Sequence, residues 1–126
     1  MLEGAKVKGN IEIQGGAAFS IGEGTTISGN LSIQEVASGA AANQVCGAQV
    51  SGNLSVSENA TAVTIGSTDT SCPGNSFSNN VSVEDNTAQV KVYNNRVQKN
   101  LSCTENAAIT GGGNQAQKKN GQCSAF

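Results

Sequence analysis

The sequence predicts an all-β protein, a single-stranded parallel β-helix of about five coils, each 19–27 residues long. Three observations lead there. "VKGNIEIQ" at residues 7–14 returns as "ISGNLSIQ" at 27–34, and its pattern recurs to the end of the chain. Inside each repeat apolar and polar residues alternate with period two, as in "NLSVS" and "QVKVY", so the segments are strands and helical repeats are excluded. With 16 Gly, one Pro and 3% aromatic residues among 126, a core must come from thin layers of Val, Ile, Leu and Ala.

The repeat is read column by column from its first apolar residue: Val7, Ile27, Val50, Phe77, Val97 and, weakly, Ala116. Four positions later stand Ile11, Leu31, Leu54, Val81 and Leu101; six positions later stand Ile13, Ile33, Val56, Val83 and Cys103. Self-similarity near twenty residues marks a solenoid, because no repeat can bury its own apolar face without a neighbour. Stacked coils bring equivalent strands to about 4.8 Å, and the crossover preference gives a right-handed winding. One domain spans residues 1–126, with coils starting near 4, 24, 47, 74 and 94 and a cap at 113–126.

Three residues separate the first two apolar columns, so the chain bends there, and Gly is expected to supply the backbone angles. An Asn follows in all five coils: Asn10, Asn30, Asn53, Asn80 and Asn100. Stacked amides can donate to one rung and accept from the next, so the column is read as a structural asparagine ladder shielded from modification. Four of these residues open N-x-S sequons, and Asn59 opens N-A-T; of the five, Asn59 is expected to be the exposed one. Gly4, Gly24, Gly47, Gly74, Asn94 and Gly113 precede each coil by three residues and predict a left-handed corner. Asn59, Asn86 and Asn106, with Gly16 at the same place in coil one, predict another turn.

Four Cys without His or C-x-x-C spacing favour disulfides over zinc, and hence an oxidising compartment. Cys46 and Cys72 fall at the same edge of successive coils and are paired on that ground; Cys103 lies in an inward column and is left with Cys123. Free thiols are the alternative for each pair. The second bond would clamp a lid over the end of the stack. Only "MLE" precedes Gly4, so the chain is read as a mature form or a piece of a longer secreted protein. A net charge of −2 carries no footprint of nucleic-acid binding, and no apolar run is long enough for a membrane span.

The stretch from Asn95 to Cys123, "NRVQKNLSCTENAAITGGGNQAQKKNGQC", resembles the closing coil of a group of secreted bacterial β-helix proteins. In these a Gly-Asn-Leu repeat ends in N-L-x-C, a Gly-rich segment and a final Gln-Cys. The resemblance implies the fold, a secreted or cell-surface location and the Cys103–Cys123 bond, but no activity. Coil four departs from the pattern with Asn79-Asn80 and coil five with Lys99-Asn100. The architecture is more distantly similar to bactofilins, polymerising β-helices of the cytosol.

Catalysis on such a scaffold needs convergent carboxylates in a groove. The nearest candidate is the column Glu35, Glu58, Asp85 and Glu105, which calcium could bridge; the favoured reading is four solvated turn residues. Lys91, Arg96, Lys99, Lys118 and Lys119 concentrate in the last coils and suit an acidic glycan or a balance of charge. The expectation is therefore a non-catalytic, secreted structural solenoid without a cofactor, forming homo-oligomers or a filament by axial stacking. A calcium-dependent glycan-binding or adhesion module is the second reading, and a truncated polysaccharide-active enzyme the third.

Overall fold

In a computed structural model of the chain, which describes residues 4–15, 19–36, 43–68 and 70–126, every regular element is a strand. Gly16 and most of the insertion before Cys46 lie outside the described residues. The first coil holds β1 (Lys6–Val7), β2 (Ile11–Gln14) and β3 (Ser20–Ile21); the second β4 (Thr26–Ile27), β5 (Leu31–Gln34) and β6 (Asn43–Val45). The third holds β7 (Gln49–Val50), β8 (Leu54–Ser57) and β9 (Val63–Ile65); the fourth β10 (Ser76–Phe77), β11 (Val81–Glu84) and β12 (Gln89–Tyr93). The fifth holds β13 (Arg96–Val97), β14 (Asn100–Thr104) and β15 (Ala108–Gly112), and β16 (Lys118–Gly121) follows in the tail.

Equivalent strands pair in parallel into three sheets, ordered β1-β4-β7-β10-β13, β2-β5-β8-β11-β14-β16 and β3-β6-β9-β12-β15. We call them sheets one, two and three. Their register reproduces the sequence columns: Val7 faces Ile27, Leu31 faces Leu54, Val83 faces Cys103. Period-two alternation turns one residue in two toward the axis, so Ile27, Val50, Phe77, Leu31, Leu54, Val81, Ile33, Val56 and Val83 are all 0–1% exposed. Sheet three adds Ile21, Val45, Ile65 and Val92. Each side chain stacks on its equivalent one coil away, which is why small branched residues suffice for a core without a thick centre.

The last coil departs from the expectation. Residues 118–121 have lost the apolar alternation, yet β16 pairs with β14 in continued register, Asn100 opposite Lys118 and Cys103 opposite Gly121. The tail then closes the end of the stack. Gly111 stands in the Val92 column, and the Phe126 ring lies where a side chain at Gly111 would be. Cys123 is 0% exposed and bonded to Cys103, with Cα atoms 5.3 Å apart. Cys46 and Cys72 are bonded at a Cα separation of 4.7 Å and tie the edges of coils two and three.

Candidate functional site

Three bends per coil join the sheets, and an asparagine column serves the stripped backbone groups at each, exposed at one bend and buried at the other two. At the bend from sheet one to sheet two stand Asn10, Asn30, Asn53, Asn80 and Asn100. They do stack: the Oδ1 of each accepts the main-chain N–H of the next, at 2.8, 2.8, 3.1 and 3.1 Å along the series. The ladder is not shielded, however; Asn10, Asn30, Asn53 and Asn80 are exposed and Asn100 is half-buried. Glycine serves here for room more than for angle. Only Gly9 has a positive φ, of 108°. At Gly29 and Gly52 an added Cβ would run into the backbone of the preceding coil and its Asn Oδ1.

The other two bends carry the buried ladders. At the corner from sheet two to sheet three, Asn59, Asn86 and Asn106 point inward and are 0%, 1% and 6% exposed. Asn59 therefore lies opposite to the exposed position expected from its sequon. The Nδ2 of Asn59 donates to Asn86 Oδ1 at 2.9 Å, that of Asn86 to Asn106 Oδ1 at 2.7 Å and that of Asn106 to Gln122 Oε1 at 2.9 Å. Each amide also donates to a strand carbonyl one coil back: Ile33, Val56 and Val83. At the corner from sheet three to sheet one, Asn75, Asn95 and Asn114 repeat the scheme, with Nδ2–Oδ1 distances of 3.0 Å at both steps and carbonyl partners Val45, Ile65 and Val92. The sequence reading missed this column. The signal was present two residues before Phe77, Val97 and Ala116, as Asn75, Asn95 and Asn114, with Ala5, Thr25 and Ala48 in the same place in the earlier coils.

Every rung of the inner ladders but Asn75 follows a residue in the left-handed conformation, and the column before that second ladder is left-handed elsewhere too. Gly47, Asn94 and Gly113 have φ of 61°, 57° and 67°. Gly74 departs from its column with no positive φ; a Cβ there would collide with Asn94 O, so close approach explains the glycine. At the other corner the left-handed residues are the acidic ones: Glu35, Glu58, Asp85 and Glu105 have φ of 53–55°. Non-glycine residues seldom adopt that region. All four are exposed. The Glu35 Oε2 accepts from Gln14 Nε2 at 3.0 Å, while a hydrogen bond and repulsion from Asp85 hold the Glu105 carboxyl above its ordinary value. Among the described residues no group of three or more His, Cys, Asp or Glu is placed to hold a metal ion.

One sheet also carries charge of a single sign. The outer face of sheet one carries Lys6, Thr26, Gln49, Ser76 and Arg96 in one column and Lys8, Ser28, Ser51, Ser78 and Gln98 in the other. Lys99 stands at the bend that follows. No described acidic residue lies on this face. Glu12 and Glu84 lie on sheet two, the acidic column on its following corner and Glu23 on the corner entering sheet one. A shallow groove of about 300 Å³ runs over β1, β4 and β7, lined by Lys6, Lys8, Thr26, Ser28, Gln49 and Ser51 around Val7 and Ile27.

The two ends of the stack differ. Val7, Ile11 and Ile13 of coil one are half-buried, whereas their coil-five equivalents Val97, Leu101 and Cys103 are 3%, 0% and 0% exposed. Strands β1, β2 and β3 are also the outermost members of their sheets. No helix among the described residues is long and apolar enough to cross a membrane. Comparisons with family models, curated proteins and solved structures return no match for the chain.

Proposed function

We propose that the protein is a non-catalytic structural β-solenoid, a rigid element of an extracytoplasmic surface or matrix, that associates end to end through its first coil. The observation that carries this reading is the contrast between the ends. The last coil is closed by Cys123 and Phe126, while among the described residues the first leaves Val7, Ile11 and Ile13 half-buried on β1 and β2, which with β3 are outermost in their sheets. Open strand edges seek a β partner on every face at once, and another coil of the same cross-section supplies that. Because the last coil is closed by Cys123 and Phe126, pairing of two first coils about a two-fold axis is favoured over an open filament. Two disulfides fit an oxidising compartment.

The test is mass by light scattering over a concentration series, with negative-stain microscopy of the same unreduced sample. The expected result is a dimer of doubled length that Ile11→Lys with Ile13→Lys converts to monomer. A strict monomer at high concentration, or a dimer indifferent to those substitutions, overturns the reading.

A further inference from the structure

The outward face of sheet one, which carries no described acid, is unexplained by end-to-end association, which uses the edge of β1 and the inward Val7 and not the outward side chains of that sheet. We infer that this face binds a linear acidic polysaccharide, laid along the solenoid axis and held by Lys6 and Lys8 at one end and Arg96 and Lys99 at the other.

The cations mark a length. Lys6 and Arg96 occupy the same column, four coils apart, or about 19 Å at ~4.8 Å per coil. Between them the face offers only hydroxyls and amides: Thr26, Gln49 and Ser76 beside Ser28, Ser51 and Ser78. These donors and acceptors are half-buried or exposed, suited to sugar hydroxyls, and they repeat at every coil. The groove over β1, β4 and β7 gives one end concave shape where Lys6 and Lys8 converge. A ligand that satisfies both ends is therefore extended, anionic and hydroxyl-rich.

Two other occupants fit less well. A second copy of the chain would have to offer its acidic corner, but Glu35, Glu58, Asp85 and Glu105 place a charge on each of four successive coils. The cations stand at coils one and five only, so the charge registers do not match. Single-stranded nucleic acid is normally gripped by aromatic stacking as well as charge, and this face presents no outward aromatic side chain.

The experiment uses the unreduced full chain at low salt, titrated with oligogalacturonates of two and ten units, a neutral dextran of matching length and a single-stranded oligonucleotide. Binding is followed by calorimetry. The ten-unit oligogalacturonate is expected to bind, with affinity falling as salt rises, while the two-unit form and the dextran bind at least about tenfold more weakly because they lack the reach or the charge. Lys6→Gln with Lys8→Gln, and separately Arg96→Gln with Lys99→Gln, should each lower affinity about tenfold, with unchanged far-ultraviolet dichroism. Lys118→Gln with Lys119→Gln, on sheet two, should leave it unchanged. No binding of the ten-unit chain, equal binding of the two lengths, or loss through the Lys118 and Lys119 pair overturns the assignment, as does tighter binding of the oligonucleotide.

Discussion

Asn86→Ala is the substitution that weighs the inner ladder against the outer one. Asn86 is 1% exposed, and its side chain makes four hydrogen bonds: its Oδ1 accepts Asn59 N–H at 3.1 Å and Asn59 Nδ2 at 2.9 Å, and its Nδ2 donates to Val56 O at 3.2 Å and Asn106 Oδ1 at 2.7 Å. Asn59 Nδ2 retains Ile33 O, and Asn106 Oδ1 retains the N–H of residue 86. The Asn59 N–H loses its acceptor in a dry interior. An unmet buried donor costs about 1–3 kcal/mol and each of the three further lost bonds about 1 kcal/mol, so the sum is about 5 kcal/mol. At roughly 4 °C per kcal/mol for a chain of this size the melting temperature should fall by about 20 °C.

The paired control is Asn53→Ala in the outer ladder, where Oδ1 accepts one bond, from Asn80 N–H at 3.1 Å. Both residues are exposed, so water replaces the acceptor and the loss is about 0.5–1 kcal/mol. Asn86→Asp keeps the volume but turns a donor into a carboxylate oxygen facing Val56 O and Asn106 Oδ1. It should be as damaging as Ala at neutral pH and less so in acid, where the protonated oxygen donates. Thermal and denaturant unfolding of the four proteins under non-reducing conditions reads all of this. If Asn86→Ala and Asn53→Ala agree within about 1 kcal/mol, the argument from burial is refuted.

The cap, the acidic corner and one orphan hydroxyl give three further expectations. Replacing Cys103 and Cys123 together by Ser removes a bond spanning 20 residues and should cost about 3 kcal/mol, with limited proteolysis cutting the tail before the coils. Because the folded Glu105 carboxyl sits above its ordinary value next to Asp85, its contribution to stability is fully present below the unfolded carboxylate range and is lost as pH rises through the folded pKa. Melting temperature measured across the acid range should show that loss, and Asp85→Asn should flatten it; an unchanged slope would remove Asp85 as the cause. Thr25 Oγ1 is the one buried side-chain polar atom without a partner among the described residues, at a residue 0% exposed. Thr25→Val should therefore stabilise by about 1 kcal/mol, whereas a fall in melting temperature would mean that the hydroxyl has a partner such as buried water.

How far the molecule was legible depends on which physical signal each feature left in the chain. Strands, coil length and both cysteine pairs were readable because stacking forces equivalent residues into register: an Ile11, Leu31, Leu54 column can persist only if those positions meet the same interior. The acidic column was readable as a turn, but its left-handed backbone was not, since Glu is an uncommon occupant of that region. Glycine misled in the other direction. At Gly29 and Gly52 the residue answers to the backbone one coil away, a constraint that no local pattern records.

By itself, the sequence determined the solenoid, its three inward apolar columns and the cysteines that close its end, because periodic burial writes itself into residue type. Which asparagines face inward was decided only by the tertiary structure. Asn30 and Asn53 follow glycines without positive φ and point out, whereas Asn59, Asn86, Asn95, Asn106 and Asn114 follow left-handed residues and point in. The preceding angle is not the whole cause, since Asn75 is buried after Gly74, which has no positive φ, and Asn10 is exposed after Gly9, which has one; the bend of the coil that each column occupies decides the side from which its amide emerges. The face of sheet one that carries Lys6, Lys8 and Arg96 but no described acid arises in the same way: neighbours in sequence are sent to different faces at every bend, and residues twenty apart are brought together.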